Sequence, residues 1–404
     1  MAKLALKGGT ALRTEKFPSW PQYGKKEQDA LERVLKSGVW GTLGGEVNKF
    51  SRRFAEYQQA KYGICVTNGT VTLEVILRGL GIGYGDEVIV PPYTFNATVS
   101  SVVFVGATPV FTDIEEGTYN IDPGKIEEAI TPNTKAIIPV HIGGRACNMD
   151  RIMEIAKKHN LYVIEDCAHA HGSEWKGRRV GSIGDAGSFS FQASKNLTAG
   201  EGGFITVNDT KLFEKFWSVH HCGRDYHGKV WYDHVNIGTN ARMTEWQAAI
   251  LDAQMDKLDE EIEKRMANAQ YLNSLLSQIP CVEPMAHDER VTRNSCHLFL
   301  FKYKSETCKE LPREIFLKAL AAEGVPCSPG YISLYKQAML QSDEMKRATG
   351  SKIEYAKLYL ENTEKAATKE GIWLTQNLLL GEKKDIDDIA NAILKIYENV
   401  DELL

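Results

Sequence analysis

Between residues 60 and 210, short runs of apolar residues alternate with longer stretches that have apolar residues at helical spacing. The runs are rich in β-branched residues and end in proline or a polar residue, as in "DEVIVP" and "LYVIED". Strands that are apolar throughout and separated by helices predict a parallel sheet covered on both faces, an α/β fold. The predicted strands are 86–91, 107–114, 134–142 and 161–166, and the clearest helices are 123–130 and 150–160.

In a parallel sheet of this kind, ligands bind beyond the carboxyl ends of the strands. The residues that directly follow the apolar runs are therefore the first candidates for a functional site. They are 91–96, Asp113, His141, 166–169 and Lys195.

The pattern changes after about residue 244, where an amphipathic stretch continues without a helix breaker as far as Pro280. It predicts one long helix that links the large domain to a smaller one containing a strand and helices. We expect an N-terminal arm over 1–20, a large domain over 21–255 and a small C-terminal α+β domain over 256–404.

The composition excludes some classes of protein. The chain of 404 residues has a formal net charge of −5, whereas a broad nucleic-acid surface is usually basic. No apolar stretch reaches the ~18 residues of a membrane span, and the N-terminus lacks the apolar region of a secretory signal. The eight cysteines are scattered, with no spacing typical of a metal site. We therefore expect a cytoplasmic protein with reduced thiols, no metal, no nucleic acid and no membrane partner.

Lys195 lies between two apolar runs and is followed by three glycines, in "SFSFQASKNLTAGEGGFITV". An exposed loop lysine is the commoner explanation for a single lysine. A buried lysine, however, loses its charge readily and can form a Schiff base with a carbonyl group. Ser190 stands five positions earlier on the same predicted strand. The glycines would allow another group to approach the backbone closely.

Asp166 ends the apolar run "VIED", where an aspartate is unfavourable unless a cation or hydrogen-bond donors meet it. One interpretation is a cap on the following loop. The other is a partner for a protonated heterocycle, such as a pyridinium nitrogen.

Two further motifs could hold parts of a cofactor. In "TNGT", Gly69 and Thr70 begin a predicted helix, and a helix N-terminus binds anions, although an ordinary N-cap is at least as common. No GxxxxGK[ST] pattern is present, which excludes an ATP-type P-loop. In "PPYTF", Tyr93 or Phe95 could lie against a flat ring, although a core position is the commoner role for either.

The order of these motifs resembles the DegT/DnrJ/EryC1/StrS aminotransferases, which carry pyridoxal 5′-phosphate (PLP) on a fold-type I scaffold. The resemblance covers nearly the whole chain. It implies a large domain with a mostly parallel, seven-stranded sheet between helices, and a smaller C-terminal α+β domain. The motifs in question are "TNGT", "PPYTF", "EDCAHAHG", "SFQASKNLTAGEGG" and "GTNARMTEWQAAIL".

The resemblance also implies roles for single residues. Lys195 would hold PLP covalently as an aldimine, and Asp166 would pair with the pyridine nitrogen. His169 would lie near the 3-hydroxyl and Phe95 over the ring face. The phosphate would be bound by Gly69, Thr70, Ser190 and, from the neighbouring subunit of a homodimer, by Asn240. Some relatives are dehydratases with histidine at the lysine position, so Lys195 favours transamination.

Within the family the chain is similar to 3-amino-5-hydroxybenzoate synthases and to scyllo-inosose (cyclitol) aminotransferases, in "FPSWPQY", "LGGEVNKF", "HHCGRDYH" and "RNSCHLFLF". Both classes aminate six-membered carbocyclic ketones, the latter with glutamine as donor. The benzoate synthases have Asn-Gly before the lysine, where this chain has Ala193 and Ser194, so the aromatising activity stays open.

The predicted activity is transfer of an amino group from glutamine or glutamate to a keto-cyclitol or keto-sugar. A nucleotide-linked keto-sugar is an alternative acceptor, with Arg224, Lys229 and Arg293 to bind its diphosphate. A non-catalytic PLP-binding regulator is a further alternative. Substrate contacts are predicted for Trp40, His171, His221, Arg224, Arg293 and Tyr331, each of which could equally have a structural role.

Overall fold

The computed structural model describes residues 3–42, 44–228, 230 and 232–404. Its strands fall into one large sheet, one small sheet and a short hairpin. The large sheet contains β1 (Tyr62–Val66), β2 (Glu87–Val90), β3 (Thr108–Phe111), β4 (Thr134–Ile137), β5 (Tyr162–Asp166), β8 (Ala186–Ser190) and β9 (Gly203–Val207). The hairpin is formed by β6 (Glu174–Trp175) and β7 (Arg178–Arg179). The small sheet contains β10 (Val282–Pro284), β11 (Leu298–Tyr303) and β12 (Gly371–Thr375).

The large sheet has seven strands in the order β1-β9-β8-β5-β4-β2-β3. Strand β9 pairs antiparallel with both of its neighbours, and the pairings from β8 to β3 are all parallel. The four predicted strands are present, each shorter than its apolar run. This arrangement confirms the predicted mostly parallel sheet, in which the carboxyl ends of β5 and β8 lie side by side.

Helices cover both faces of this sheet, as the apolar character of its strands requires. One face is packed by α3 (Gly69–Gly79), α4 (Ala97–Phe104) and α7 (Thr210–His220). The other is packed by α2 (Glu46–Tyr57), α6 (Met149–His159) and the first part of α8 (Glu245–Leu276). In the part of the chain that the structure describes, no helix combines the length and the apolar character needed to cross a membrane. The helices are α1 (Lys25–Ser37), α2 (Glu46–Tyr57), α3 (Gly69–Gly79), α4 (Ala97–Phe104), α5 (Pro123–Ile126), α6 (Met149–His159), α7 (Thr210–His220), α8 (Glu245–Leu276), α9 (Arg313–Ala322), α10 (Ala338–Gln341), α11 (Asp343–Thr349), α12 (Glu361–Lys365) and α13 (Lys383–Glu398).

Helix α8 is the predicted long connector, 32 residues without interruption. Its Leu258 and Ile262 pack in the core beside the large sheet, whereas Leu272 and Leu276 pack in a second core with β11, β12, α9 and α13. Residue 255, the predicted domain boundary, lies inside this helix, and the passage between the two cores falls beyond Ile262.

The second half of the chain also returns to the large sheet, which the apolar pattern did not predict. Residues 334–360 place Tyr335 and Tyr355 in the core on the α3 face, and the Tyr355 hydroxyl donates to the Pro109 carbonyl at 2.7 Å. The N-terminal arm is anchored differently. Leu4 lies in the second core, and the carboxylate of Glu323 accepts from the backbone N–H groups of Ala5 and Leu12.

Candidate active site

A cavity of about 890 Å³ opens at the carboxyl ends of β5 and β8. Eight of the residues predicted from sequence line it, and the two predicted catalytic side chains are among them. They are Lys195, Asp166, His169, Phe95, Gly69, Thr70, Ser190 and Tyr331. The cavity is therefore the candidate active site.

Lys195 lies in the turn after β8, with its backbone N–H bonded to the carbonyl of Gln192 at 2.9 Å. Burial lowers the pKa of Lys195 to about 8, and the neighbouring carboxylate of Asp166 opposes that shift. The amine is thus much closer to its neutral, nucleophilic form than an ordinary lysine. Lys195 and Asp166 share one cavity and each influences the pKa of the other, as the sequence interpretation required.

The lowered pKa predicts a pH-dependent stability difference in the cofactor-free protein. Because the pKa of Lys195 is lower in the folded chain than its ordinary 10.5, the charged lysine destabilises the fold below pH 8. We expect Lys195→Met to raise the free energy of unfolding by about 1–3 kcal/mol at pH 7. Between pH 8 and 10.5 this difference should disappear, because the wild-type fold gains stability there. Urea unfolding of both proteins at pH 7 and pH 10 measures the difference in free energy of unfolding. A difference that is the same at both pH values would contradict the lowered pKa of Lys195.

Asp166 ends β5 and is held by two hydrogen bonds. Thr98 Oγ1 donates to Oδ2 at 2.9 Å, and the N–H of Ala168 donates to Oδ1 at 3.1 Å. Burial raises the pKa of Asp166, and these two donors, together with the Lys195 ammonium, oppose the shift. A carboxylate held in this way can accept a further hydrogen bond from a protonated ring nitrogen.

The N-terminus of α3 faces the same cavity. The side chain of Asn68 caps the helix by accepting from the N–H of Val71 at 2.9 Å. A Cβ added to Gly69 would come within 2.7 Å of the Ser190 Cβ, and one added to Gly203 within 2.4 Å of the Asn68 carbonyl oxygen. The chain therefore brings helix N–H groups and the Thr70 and Ser190 hydroxyls together in a cradle that fits a phosphate.

This cradle gives a direct prediction for cofactor affinity. Gly69→Ala would push a methyl group towards Ser190 and displace the first turn of α3 from the phosphate. We expect the Kd for PLP to rise about tenfold, the loss of about one good hydrogen bond to a charged group. Fluorescence titration of the apoprotein with PLP measures it. Gly45→Ala is the matched control, because a Cβ added to Gly45 would meet nothing within 4 Å. The Kd of this variant for PLP should be unchanged.

His169 and Phe95 line the cavity in different settings. The imidazole of His169 is buried, its Nδ1 accepts from the N–H of Gly143 at 3.3 Å, and Tyr331 Oη lies 3.5 Å from Nε2. Phe95 is 61 % exposed, free to lie over a bound ring, whereas the other aromatic candidate, Tyr93, is buried in the core and does not line the cavity.

Two of the predicted substrate contacts are corrected by the structure. His171 is fully buried among aromatic rings, with Nε2 bonded to the Ser190 carbonyl at 2.9 Å, so it supports the site from behind. Arg293 donates to Asp259 at 2.7 Å and forms an ion pair with Glu263 at 3.0 Å. Neither side chain lines the cavity. His171 is bonded inside the protein, and Arg293 is paired with the two carboxylates.

The remaining predicted residues also lie outside the cavity of their own chain. Trp40 packs against Trp246 with ring centroids 5.6 Å apart. His221, Arg224 and Asn240 lie between α7 and α8, where His221 and Asn240 form a backbone bridge. Burial lowers the pKa of His221 to about 4, and the cations of Arg242 and Arg224 lower it further. Lys229 lies outside the described residues.

Asp113 and His141, which follow predicted strands, bind protein groups instead of facing the cavity. Asp113 accepts from Asn362 and Thr363 and so joins the start of α12 to the large sheet. His141 Nε2 lies 3.1 Å from the Glu165 carboxylate, which also accepts from the N–H groups of Ile183 and Gly184. Both residues therefore have structural roles.

Several residues that sequence reasoning passed over complete the cavity. Trp20, Gln192, Glu201, His297, Trp373 and Gln376 all line it. Trp20, Gln192, Glu201 and His297 lie inside quoted motifs without having been assigned a role, whereas Trp373 and Gln376 lie outside every motif. A polar residue at the start of an apolar strand, such as His297 before β11, is the one signal that could have indicated them.

The described cavity holds what PLP requires: a near-neutral amine, a buried carboxylate and an anion cradle, at the strand ends of a mostly parallel sheet. This combination defines a PLP-dependent aminotransferase of fold type I. The chain belongs to the DegT/DnrJ/EryC1/StrS aminotransferase family, whose model matches residues 21–393. The family resemblance seen in the sequence motifs is thus confirmed.

Individual relatives agree with the family assignment. A Micromonospora echinospora protein provisionally named L-glutamine:3-amino-2,3-dideoxy-scyllo-inosose aminotransferase is 40% identical over 98% of each chain. The L-glutamine:2-deoxy-scyllo-inosose aminotransferase of Streptoalloteichus tenebrarius is 36% identical over 99% of each chain. The crystal structure of a 3-amino-5-hydroxybenzoic acid synthase superposes with a TM-score of 0.87 at 33% identity, over 95% of this chain and 99% of that one.

Proposed function

We propose that this aminotransferase moves the amino group of L-glutamine, or of glutamate, to a cyclic ketone of the keto-cyclitol class. The observation that carries the proposal is the chemistry of the cavity wall. Apart from Lys195, the described residues that line it include no lysine or arginine, and its second-domain wall is built from neutral polar and aromatic groups such as Ser328, Tyr331 and Gln376. Such a wall suits an uncharged polyhydroxylated ring.

The alternative acceptors fit the part of the wall that one subunit provides less well. A nucleotide-linked keto-sugar needs cations for its diphosphate, and Arg293, one of the predicted cations, is paired with carboxylates outside the cavity. A 3-amino-5-hydroxybenzoate synthase-like reaction is supported by the structural likeness, but Ala193 and Ser194 differ from the motif of those enzymes. A regulator without catalysis has no need for a lysine with so low a pKa.

We propose that the ε-amine of Lys195 carries PLP through a Schiff base and that Asp166 keeps the ring nitrogen protonated. When bound, PLP supplies the electron sink that makes the Cα proton of the donor acidic. Lys195 Nζ, released by the donor amine, would accept that proton and return it as a general acid. Its lowered pKa suits both roles near neutral pH. In the second half-reaction the same groups would act in reverse on the cyclic ketone.

We also propose a homodimer with shared active sites. The α-carboxylate of the donor needs a cation, and the described cavity wall of one subunit offers only Lys195. Asn240 and Arg242 lie outside the cavity of their own chain and could complete that of a neighbour. Mixing equal amounts of Lys195→Ala and Asn240→Asp subunits, each nearly inactive, should then restore about a quarter of wild-type activity. No restoration in verified heterodimers would contradict sharing.

The test of the proposed function is a two-stage assay on the PLP-loaded protein. Glutamine, glutamate and other amino acids are added singly, and loss of the visible absorbance reports the first half-reaction. After the donor is removed, scyllo-inosose, 2-deoxy-scyllo-inosose and a nucleotide-linked keto-sugar are added singly, and return of the absorbance reports the second. We expect the cyclitol ketones to restore it fastest. Restoration by the nucleotide-linked sugar alone would overturn the proposal, and absence of both half-reactions would favour the regulator.

A further inference from the structure

His297 directly precedes β11 and lines the active-site cavity beside His169. It is 5% exposed, and the two imidazole centroids are 4.4 Å apart. A buried imidazole in a substrate cavity must have its two nitrogens satisfied by protein, substrate or water. The hydrogen bonds around His297 show which nitrogen is committed to the protein.

The side chain of Asn196 determines the tautomer of His297. One amide atom of Asn196 lies 2.7 Å from the Ser295 carbonyl oxygen, which only accepts, so that atom is the NH₂ group. The amide oxygen is then the atom that faces His297 Nδ1 at 3.2 Å. Because an amide oxygen also only accepts, His297 Nδ1 must carry a hydrogen.

The remaining nitrogen of His297, Nε2, therefore bears a lone pair. Burial holds the pKa of His297 well below its ordinary value, and His169 and Lys195 lower it further, so the ring is neutral with its single N–H at Nδ1. The Nδ1 edge is turned to Asn196, which leaves the Nε2 edge for the cavity. No hydrogen-bond partner of Nε2 is found among the described side chains.

His169 has the opposite tautomer. Its Nδ1 accepts the N–H of Gly143, so Nδ1 is unprotonated and the hydrogen of the neutral ring is at Nε2, on the side of Tyr331. Two adjacent neutral imidazoles thus present different groups. His169 offers a hydrogen-bond donor, and His297 offers an acceptor, which in the neutral ring cannot become a donor without breaking the Asn196 contact.

We propose that His297 Nε2 accepts a hydrogen bond from a hydroxyl of the cyclic keto acceptor, and that this contact makes the site selective for hydroxylated rings. The assignment rests on the proposed function. A keto-cyclitol carries hydroxyls on carbons close to its carbonyl, whereas the carboxamide of glutamine is separated from Cα by two methylene groups. His297 lines the same cavity as Lys195 and packs against His169, so its ring faces the space that the acceptor hydroxyls would occupy and that the donor does not fill with a hydroxyl.

The first test separates the two half-reactions in His297→Phe, with His159→Phe as a control far from the cavity. His159 is half-buried and paired with Glu127. We expect kcat/KM for the keto-cyclitol to fall about tenfold and the half-reaction with glutamine to change less than about twofold. His297→Gln, whose amide reaches the position of Nε2, should recover part of the loss. An equal loss in both half-reactions, or a loss confined to glutamine, would overturn the proposal.

A series of inososes that each lack one hydroxyl identifies the bonded group. Removing that hydroxyl should reduce kcat/KM about tenfold for the wild-type protein and hardly at all for His297→Phe. If the wild-type protein aminates these ketones but His297→Phe keeps the same order of preference, the hydroxyl assignment is wrong while the proposed function stands. If the wild-type protein aminates none of them, the proposed function itself fails, and the hydroxyl assignment fails with it.

The tautomer can be measured without any turnover. ¹⁵N NMR of the histidine rings should show a protonated, pyrrole-type Nδ1 and an unprotonated, pyridine-type Nε2 for His297 between pH 6 and 8, identified by loss of its signals in His297→Phe. In Asn196→Leu, which removes the amide oxygen, the ¹⁵N chemical shifts of the two ring nitrogens of His297 should approach the average of the protonated and unprotonated values. A protonated Nε2 in the wild-type protein would overturn the proposal whatever the assays show.

Discussion

Replacing Lys195 by alanine is expected to lower kcat at least about a thousandfold while the protein stays folded. The variant loses both the amine that would hold PLP and the base that would move the proton at Cα of the donor. Before a donor is added, the absorbance band of a Schiff base with Lys195 should be absent, because the cofactor can no longer bond to the chain at this position. Steady-state assays with glutamine and a keto-cyclitol measure turnover, and circular dichroism measures the fold.

Lys25→Ala is a suitable control for this experiment, since Lys25 is exposed on α1 and forms an ion pair with Asp29. It should retain wild-type turnover and absorbance. Added methylamine should restore part of the activity of Lys195→Ala, because it can enter the cavity as a free base. Native turnover in a verified Lys195→Ala preparation would refute the assignment of the active site.

The second large effect is expected for Asp166→Asn, which should lower kcat about a hundredfold to a thousandfold. The amide has nearly the same shape as the carboxylate but cannot hold a proton on the ring nitrogen through charge. The electron sink would then be much weaker. The cofactor should still bind, because the phosphate cradle and Lys195 are unchanged, and its content can be measured after release with alkali.

Thr98→Val provides the graded comparison. It removes one of the two described donors to the Asp166 carboxylate, the 2.9 Å bond from Oγ1, and leaves the charge in place. We expect kcat to fall only about two- to tenfold, the effect of one hydrogen bond. If Asp166→Asn behaves no worse than Thr98→Val, the carboxylate has no special role towards the cofactor and the interpretation of the cavity is wrong.

Much of the site follows from local sequence because its main parts lie at the ends of neighbouring strands. Strand β5 ends at Asp166, and Lys195 lies in the turn after β8, so parallel pairing of these strands places both residues at one edge. The phosphate cradle needs a glycine where Ser190 approaches α3, and Gly69 stands there. The strands, the long helix α8 and these residues were accordingly predicted without coordinates.

His171, Arg293 and His297 show where sequence alone is insufficient. All three are polar residues close to recognised motifs, and two of them are buried away from the cavity. His171 is satisfied by the Ser190 carbonyl and Arg293 by carboxylates on α8, partners that only the folded chain brings near. His297 reaches the cavity because the small sheet places the start of β11 against His169.

The amino-acid sequence alone therefore determined the sheet, the connecting helix, and the lysine, aspartate and helix N-terminus that define the class of enzyme. The helices and strands follow from local periodicity. The proximity of the lysine and the aspartate follows from the parallel pairing of adjacent strands. Only the tertiary structure decided the far wall of the cavity and the tautomers of His169 and His297. Both depend on contacts between residues that can be a hundred or more positions apart, such as that from His297 to Asn196 and that between His169 and Tyr331. No local pattern encodes which distant partner a polar side chain will meet.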